Sequence, residues 1–366
     1  MNYKPSSDPI SYQQQLDNKV ARFKHLMTEA GIQLPELKIH TSAPLGFRMR
    51  AEFRVWHEQG KAYYAMNKPG EKRPYIIQDF PIGSQLINRL MAPVMAAVNS
   101  DQVLSRRLFS IEFLTTLSGQ VLVTLIYHRP LDEQWQKQAE SLQDQLNIKI
   151  IGRSRKLKLV LSEDFVTETL EVNGKTYQYQ QVESGFTQPN AQVNQKMLTW
   201  ASDCLDESSG DLIELYCGNG NFTAVLAQHF DRVLATEISK VSVNSALTNF
   251  AANQVDNVSV ARLSSEEFTQ ALHRERAFRR LADVDLDSYN FSTIFVDPPR
   301  AGLDTGTEQL VTELDNILYI SCNPETLANN LVEITKAHQI VSAALFDQFP
   351  WTDHIESGVY LKRRQG

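Results

Sequence analysis

The chain has 366 residues, room for two domains on a prior of roughly 100–200 residues each. An apolar share of 42% and a charged share of 22% exclude a disordered or fibrous chain, and no apolar run approaches the ~20 residues that span a bilayer. A net charge of −7 excludes a uniformly basic nucleic-acid binder but not a local one, because binding follows where the cations cluster.

In chain order, the start MNYKPSSDPISYQQQ lacks the apolar core of a signal peptide, so a cytoplasmic protein with no membrane partner is expected. Val20, Phe23, Leu26 and Met27 recur at helical spacing and predict an amphipathic helix over 12–30. In RMRAEFRVWH (48–57), Met49, Ala51, Phe53 and Val55 alternate with Arg48, Arg50, Glu52 and Arg54, a strand with one charged face. FSIEFLTTLSGQVLVTLIYH (109–128) reads as two strands joined at Ser118–Gly119. A helix near 132–145 and further strand-like runs to about 180 complete an α+β half.

From about 190 the pattern changes. DLIELY (211–216), RVLATE (232–237), NVSVAR (257–262), STIFVD (292–297) and NILYIS (316–321) are apolar strands separated by helical segments. That alternation predicts an α/β fold with a doubly wound parallel sheet. The polar stretch HRERAFRRLADVDLDSY (273–289) interrupts it and reads as an insertion.

ELYCGNGNF (214–222) ends the first of these strands, and its glycines permit a sharp turn and close approach to a ligand. Glu237 ends the next strand, about twenty residues on, where an acid grips a ribose hydroxyl in nucleotide-binding sheets. Dinucleotide binding is the rival, but the turn lacks the third small residue that a pyrophosphate cradle requires. S-adenosylmethionine, which has no phosphate, is the expected cofactor.

Of three cysteines, Cys204, Cys217 and Cys322, none forms a CxxC pair, so neither a disulfide framework nor a metal site is expected. Cys322 in YISCNPETL directly follows a strand and precedes a helix start marked by Asn323 and Pro324. The helix dipole and Arg300 of FVDPPRAGLD are both expected to favour its thiolate. Asp297 of that motif ends its own strand. Asp-Pro-Pro also serves enzymes that methylate amines, which usually follow it with an aromatic residue; Arg300 stands here instead. A thiolate suits methylation at carbon 5 of a pyrimidine, because addition at carbon 6 makes carbon 5 nucleophilic. A base must then take the carbon 5 proton. In FPWTDHIESGVYLKR (349–363), Asp353, His354 and Glu356 are all candidates.

FTQPN (186–190), ELYCGNGNF (214–222), ATE (235–237), FVDPPR (295–300), SCNPET (321–326) and DQFPWTDHIESG (347–358) together resemble, in order, the motifs of the RNA uracil-5 methyltransferases. The resemblance implies Cys322 as nucleophile and Glu356, rather than His354, as proton acceptor. It implies cofactor contacts at Gln188, Tyr216, Asn221, Glu237 and Asp297. Too few cysteines are present for the iron–sulfur cluster common in the ribosomal-RNA branch, and the N-terminal half is similar to the tRNA-acting branch. The implied substrate is the T-loop uridine at position 54 of tRNA, with other RNAs bearing a T-like loop as further candidates and no obligate protein partner. The expected division is an RNA-recognition domain over 1–180 and a methyltransferase domain over 181–366. Such a uridine must be flipped out of its stack, so Arg48, Arg50, Arg54, Phe109 and His128 are expected RNA contacts. Methylation of ribosomal RNA, and a tRNA-folding factor with secondary methylation, remain the alternatives.

Overall fold

The computed structural model describes residues 5–67, 70 and 73–365. The chain opens with α1 (Pro9–Glu29) and β1 (Leu37–His40). There follow β2 (Arg50–Glu58), β3 (Lys61–Met66), β4 (Tyr75–Ile76), α2 (Gln85–Ser100), α3 (Gln102–Ser105), β5 (Leu108–Thr115) and β6 (Val121–Tyr127). Next come α4 (Glu133–Leu146), β7 (Lys149–Ser154), β8 (Leu157–Val160) and the paired strands β9 (Phe165–Val172) and β10 (Lys175–Val182). The remainder is α5 (Ala191–Cys204), β11 (Asp211–Leu215), α6 (Thr223–Leu226), β12 (Arg232–Thr236), α7 (Lys240–Ala252), β13 (Val258–Ala261), α8 (Ser265–Leu272) and β14 (Phe291–Val296). It ends with α9 (Thr305–Glu313), β15 (Asn316–Ser321), α10 (Pro324–Ile334), β16 (His338–Phe346) and β17 (Glu356–Arg363).

These elements form two compact units. One contains residues 1–42, 170–179 and 192–366; the other contains 43–169 and 180–191. The division differs from the sequence boundary at 180. The α+β unit is inserted into the α/β unit rather than preceding it, because β1 pairs in parallel with β16, Leu37 opposite Ala343. An amphipathic helix and a short strand carry no signal of which sheet they will join, so sequence adjacency misled.

The α/β unit is built on an eight-stranded sheet in the order β1-β16-β17-β15-β14-β11-β12-β13. Strand order reverses between β11 and β14, which are parallel neighbours. At such a switch point the loops leaving the strands diverge and open a crevice. The five predicted strands are all present, and each is apolar because helices cover both faces of such a sheet. Ile294, Phe295, Ile317, Leu318 and Tyr319 are all at most 1% exposed, each contributing about 1.5–3 kcal/mol of burial. β17 runs against both of its neighbours, β15 and β16. Its first residue therefore enters at the edge where the parallel strands end.

In the second unit a seven-stranded sheet has the order β4-β3-β2-β5-β6-β7-β8. Only β6 and β7 are parallel, and α4 makes the crossover that a parallel pair requires. Alternation in β2 is as read: Ala51, Phe53 and Val55 are buried against α2, β5 and β6 in one core. The turn joining β5 to β6 places Gly119 at φ +92°, a conformation that glycine adopts without strain. No helix among the described residues is long and apolar enough to cross a membrane.

Candidate active site

The turn after β11 is wound tightly. Tyr216 has φ +64°, Gly218 +57° and Gly220 +76°. A Cβ on Gly220 would fall 2.5 Å from the Phe250 ring, so glycine is required there for packing as well as conformation, whereas the space beside Gly218 is open. The carboxylate of Glu237, at the end of β12, accepts from the Gly218 N–H at 3.0 Å and from the Ser239 N–H at 2.7 Å. Thus Glu237 holds the turn as well as facing outward from it. Beside it Ile238 is 67% exposed, a solvent-facing apolar surface that no motif singled out. Tyr216 donates to Ser265 Oγ at 2.7 Å.

Asn221 exchanges two hydrogen bonds of 2.9 Å with the side-chain amide of Asn194, and its carbonyl accepts from Tyr179. Asn194 was not signalled by the sequence, since a buried asparagine on a helix has no distinctive spacing. Gln188 is half-buried and belongs to the other unit, in a segment anchored by the bond from Met49 N–H to Pro189 O.

Beneath the turn lies Glu214, 1% exposed, with one carboxyl oxygen lacking a hydrogen-bond partner. Burial pushes its carboxyl up to about 8, with Asp297 adding to the rise. Asp297 leaves β14, and burial raises it too. Glu356 is 5% exposed, and burial with the neighbouring Asp297 carboxyl raises it well above the usual range. Three carboxyls thus share one poorly solvated region.

Cys322 follows β15. The register pairs Ser321 with Ser357, so the next pair outward is Cys322 and Glu356. Directly opposed residues of antiparallel strands project from the same face. Cys322 is followed by α10, whose N-cap Asn323 accepts from the Glu325 N–H, with Pro324 in the first turn. Around the thiol is a pocket of about 360 Å³, walled among others by Arg22, Arg300, Asp353 and His354. Arg300 donates to His354 Nδ1 at 2.6 Å. That bond leaves the exposed imidazole ring neutral, and burial with the flanking cations lowers its affinity for a proton.

One expectation fails. Burial, together with Glu356 and Asp297, pushes the Cys322 thiol up to about 11, outweighing the pull of Arg300. The sequence displays Arg300 directly after Asp-Pro-Pro, but not the acids that folding brings alongside the thiol. Cys204 is likewise pushed up by burial to about 11, and burial raises Cys217 well above the ordinary thiol range. Acidity therefore does not single out Cys322; its pocket does.

The expected RNA contacts lie in the second unit. Phe109 and His128 stack at 4.1 Å, and Arg54 reaches over both Phe109 and Trp56 at 6.0 Å. They line a cavity of about 310 Å³ with His57 and Arg107. Arg50 instead pairs with Glu112 and donates to the carbonyls of Gly185 and Glu183 at 2.7 and 2.6 Å. Half-buried Arg48 donates to Arg50 O. Both are committed to holding the backbone, so the charged face contributes Arg54 alone as an outward cation.

The sequence profile described as tRNA (Uracil-5-)-methyltransferase matches residues 11–364. The chain belongs to this family. Among similar proteins, one from Cellvibrio japonicus is 56% identical over 97% of this chain and 96% of its own length. Another from Teredinibacter turnerae is 56% identical over 98% of this chain and 100% of its own. Both are called tRNA/tmRNA (uracil-C(5))-methyltransferase. Among solved structures, the tRNA (uracil-54, C5)-methyltransferase of Pyrococcus abyssi, in complex with S-adenosyl-L-homocysteine, superposes with a TM-score of 0.70 at 20% identity. It covers 96% of this chain and 83% of its own, which establishes a shared fold. The tRNA (uracil-5-)-methyltransferase family thus accounts for the doubly wound sheet and for the order of its motifs.

Proposed function

We propose that the chain methylates carbon 5 of the T-loop uridine at position 54 of tRNA, using S-adenosylmethionine, with Cys322 as nucleophile and Glu356 as base. The observation that carries this reading is the convergence of Cys322, Asp297 and Glu356 at the ends of adjoining strands. Family membership and the relatives' names support the choice of RNA and of carbon 5.

The turn fits the cofactor on electrostatic grounds. Glu237 occupies the Gly218 N–H that a pyrophosphate would use, and a bound sulfonium cation would favour the charged forms of the buried Glu214 and Asp297 carboxyls. Tyr216, Asn221, Glu237 and Asp297 would hold S-adenosylmethionine, and the family resemblance adds Gln188 to the set. When bound, it supplies an electrophilic methyl group to carbon 5.

The chain's own residues do the rest. The Cys322 thiol loses its proton to solvent as its sulfur bonds to carbon 6 of the uracil, and the carbon 5–carbon 6 electron pair is held as an enolate on the carbon 4 oxygen, which makes carbon 5 nucleophilic. After carbon 5 is methylated, the Glu356 carboxylate takes its proton, the double bond re-forms and the sulfur leaves. His354 is a poorer base here because Arg300 occupies its Nδ1. In the second unit, the Phe109–His128 stack and Arg54 form a surface for unstacked bases and phosphate. The relatives' names extend the substrates to tmRNA.

The test is incubation with tRNA in which 5-fluorouridine replaces uridine, which leaves no proton for the base to remove. The expected result is a methylated, covalent protein–RNA adduct through Cys322. No adduct would overturn the nucleophile assignment.

A further inference from the structure

The segment between β16 and β17, residues 347–355, leads directly into Glu356 and carries His354. It is held chiefly from the far end of the sequence. Asp347 is fully buried, and three side chains of α1 donate to it: Tyr12 at 2.9 Å, Gln15 at 2.8 Å and Lys19 at 2.7 Å. Lys19, 5% exposed, also donates to the carbonyl of Phe349 at 2.8 Å. One turn further along the helix, Arg22 donates to the carbonyl of Asp353 at 2.9 Å. Tyr12 packs edge-on against Trp351, whose φ of +66° puts an aromatic residue in the left-handed region.

This arrangement is costly. A buried lysine and carboxylate lose hydration that their attraction recovers only when the geometry is good and the remaining hydrogen bonds are satisfied. A helix needing only to pack would present an apolar face. Here Gln15 and Lys19 lie on the same buried stripe as Leu16, Phe23 and Met27. What the polar residues add over apolar ones is direction: three bonds fix the Asp347 carboxylate, and two more fix the carbonyls of Phe349 and Asp353.

Cys322 is set by the pairing of β15 with β14 and by the capped start of α10, which α1 meets through the exposed Arg22–Glu325 pair and not through Lys19 or Asp347.

We propose that the Lys19–Asp347 pair is a positioning device for the proton-removing step, serving the base rather than the nucleophile. This rests on the reading of Glu356 as base. Loosening the segment displaces Glu356 and leaves addition and methylation intact, so the intermediate persists because elimination lags.

The experiment uses the full-length protein with Lys19→Met, which keeps the length of the side chain and removes its charge. With ordinary tRNA, turnover is expected to fall roughly 10–100-fold, the scale of an ångström misplacement, while a covalent protein–RNA adduct accumulates. With 5-fluorouridine tRNA, which reports only addition and methylation, the rate of trapping is expected to match the parent. Equal losses in turnover and trapping, or lost turnover without adduct, would overturn the proposal in favour of a merely structural pair. If Lys19→Met does not fold, Asp347→Asn keeps the shape and is read by the same two assays. Glu356→Gln, run alongside, separates the two ideas: no adduct there means that the base assignment itself has failed, whatever Lys19→Met does.

Discussion

The two units handle charge in opposite ways. At the ends of the parallel strands, Glu214, Asp297 and Glu356 are crowded together and poorly hydrated, so each holds its proton more tightly than usual. On the seven-stranded sheet, Arg54 and Arg107 line an open cavity beside a stacked Phe109 and His128, free to meet a polyanion. One region shifts the chemistry of a few groups by excluding water. The other displays its groups on an open surface. On the proposed reading, a bond-making site and a recognition surface call for different sequences: strict placement in the first, loose accumulation in the second.

The comparison can be broken most sharply at the thiol. Cys322→Ala is expected to lower methyl transfer to tRNA by about 10⁴-fold or more, as removal of a covalent nucleophile does, with tRNA affinity little changed by filter binding. Cys204→Ala, a control of similar thiol acidity, should leave turnover within about two-fold. Next in size, Glu356→Gln is expected to cost about 10²–10⁴-fold, the usual range for a general base. Denaturing gels should then show a protein–RNA band with unmodified tRNA.

Phe109→Ala tests the other region. Loss of one stacking partner is worth about 1–3 kcal/mol per base, so KM for tRNA should rise roughly 5–150-fold while KM for S-adenosylmethionine stays put. Arg54→Ala should also reduce the slope of binding against salt by about one phosphate contact. Parallel losses for both substrates would mean that the surface does not act separately.

The smallest effect is on stability. Glu214 rises from its ordinary 4.5 to about 8 in the folded protein, so between those values the native state keeps a proton that the unfolded state releases. Stability therefore falls as pH rises through that window and is fully present below it. Glu214→Gln should flatten the melting temperature between pH 5 and about 8, measured by calorimetry. An unchanged slope would shift the pH dependence onto Asp297 and Glu356.

How much was legible depended on whether neighbours in space were neighbours in sequence. The five parallel strands and the tight turn were readable because each is local: an apolar run, then residues chosen for backbone geometry. Cys322 was readable from its strand-end, helix-start position. Its raised proton affinity was not, because Glu356 and Asp297 arrive from other strands. Spacing alone could not choose between His354 and Glu356. Folding sets them in different surroundings: His354 is exposed and bonded to Arg300, while Glu356 opens a buried strand. Arg50 was read as an RNA contact for its place on a charged face, yet backbone carbonyls from residues 183 and 185 claim it. The N-terminal helix was placed in the wrong unit for the same reason: its partner, Asp347, lies more than three hundred residues away.

The reversal of β17 has a consequence for how the protein can fail. Cys322 and Glu356 are brought together by a ladder of pairs running from Asn316–Lys362 to Ser321–Ser357. A slip of that ladder by one residue would turn every side chain of β17 to the opposite face. The slipped molecule would keep its apolar strand between the same neighbours and still carry Cys322 and Glu356, but the carboxylate would point away from the thiol. On the proposed mechanism, proofreading of strand alignment during folding is also proofreading of the catalyst, and a preparation could be compact yet contain a silent fraction that only active-site titration counts.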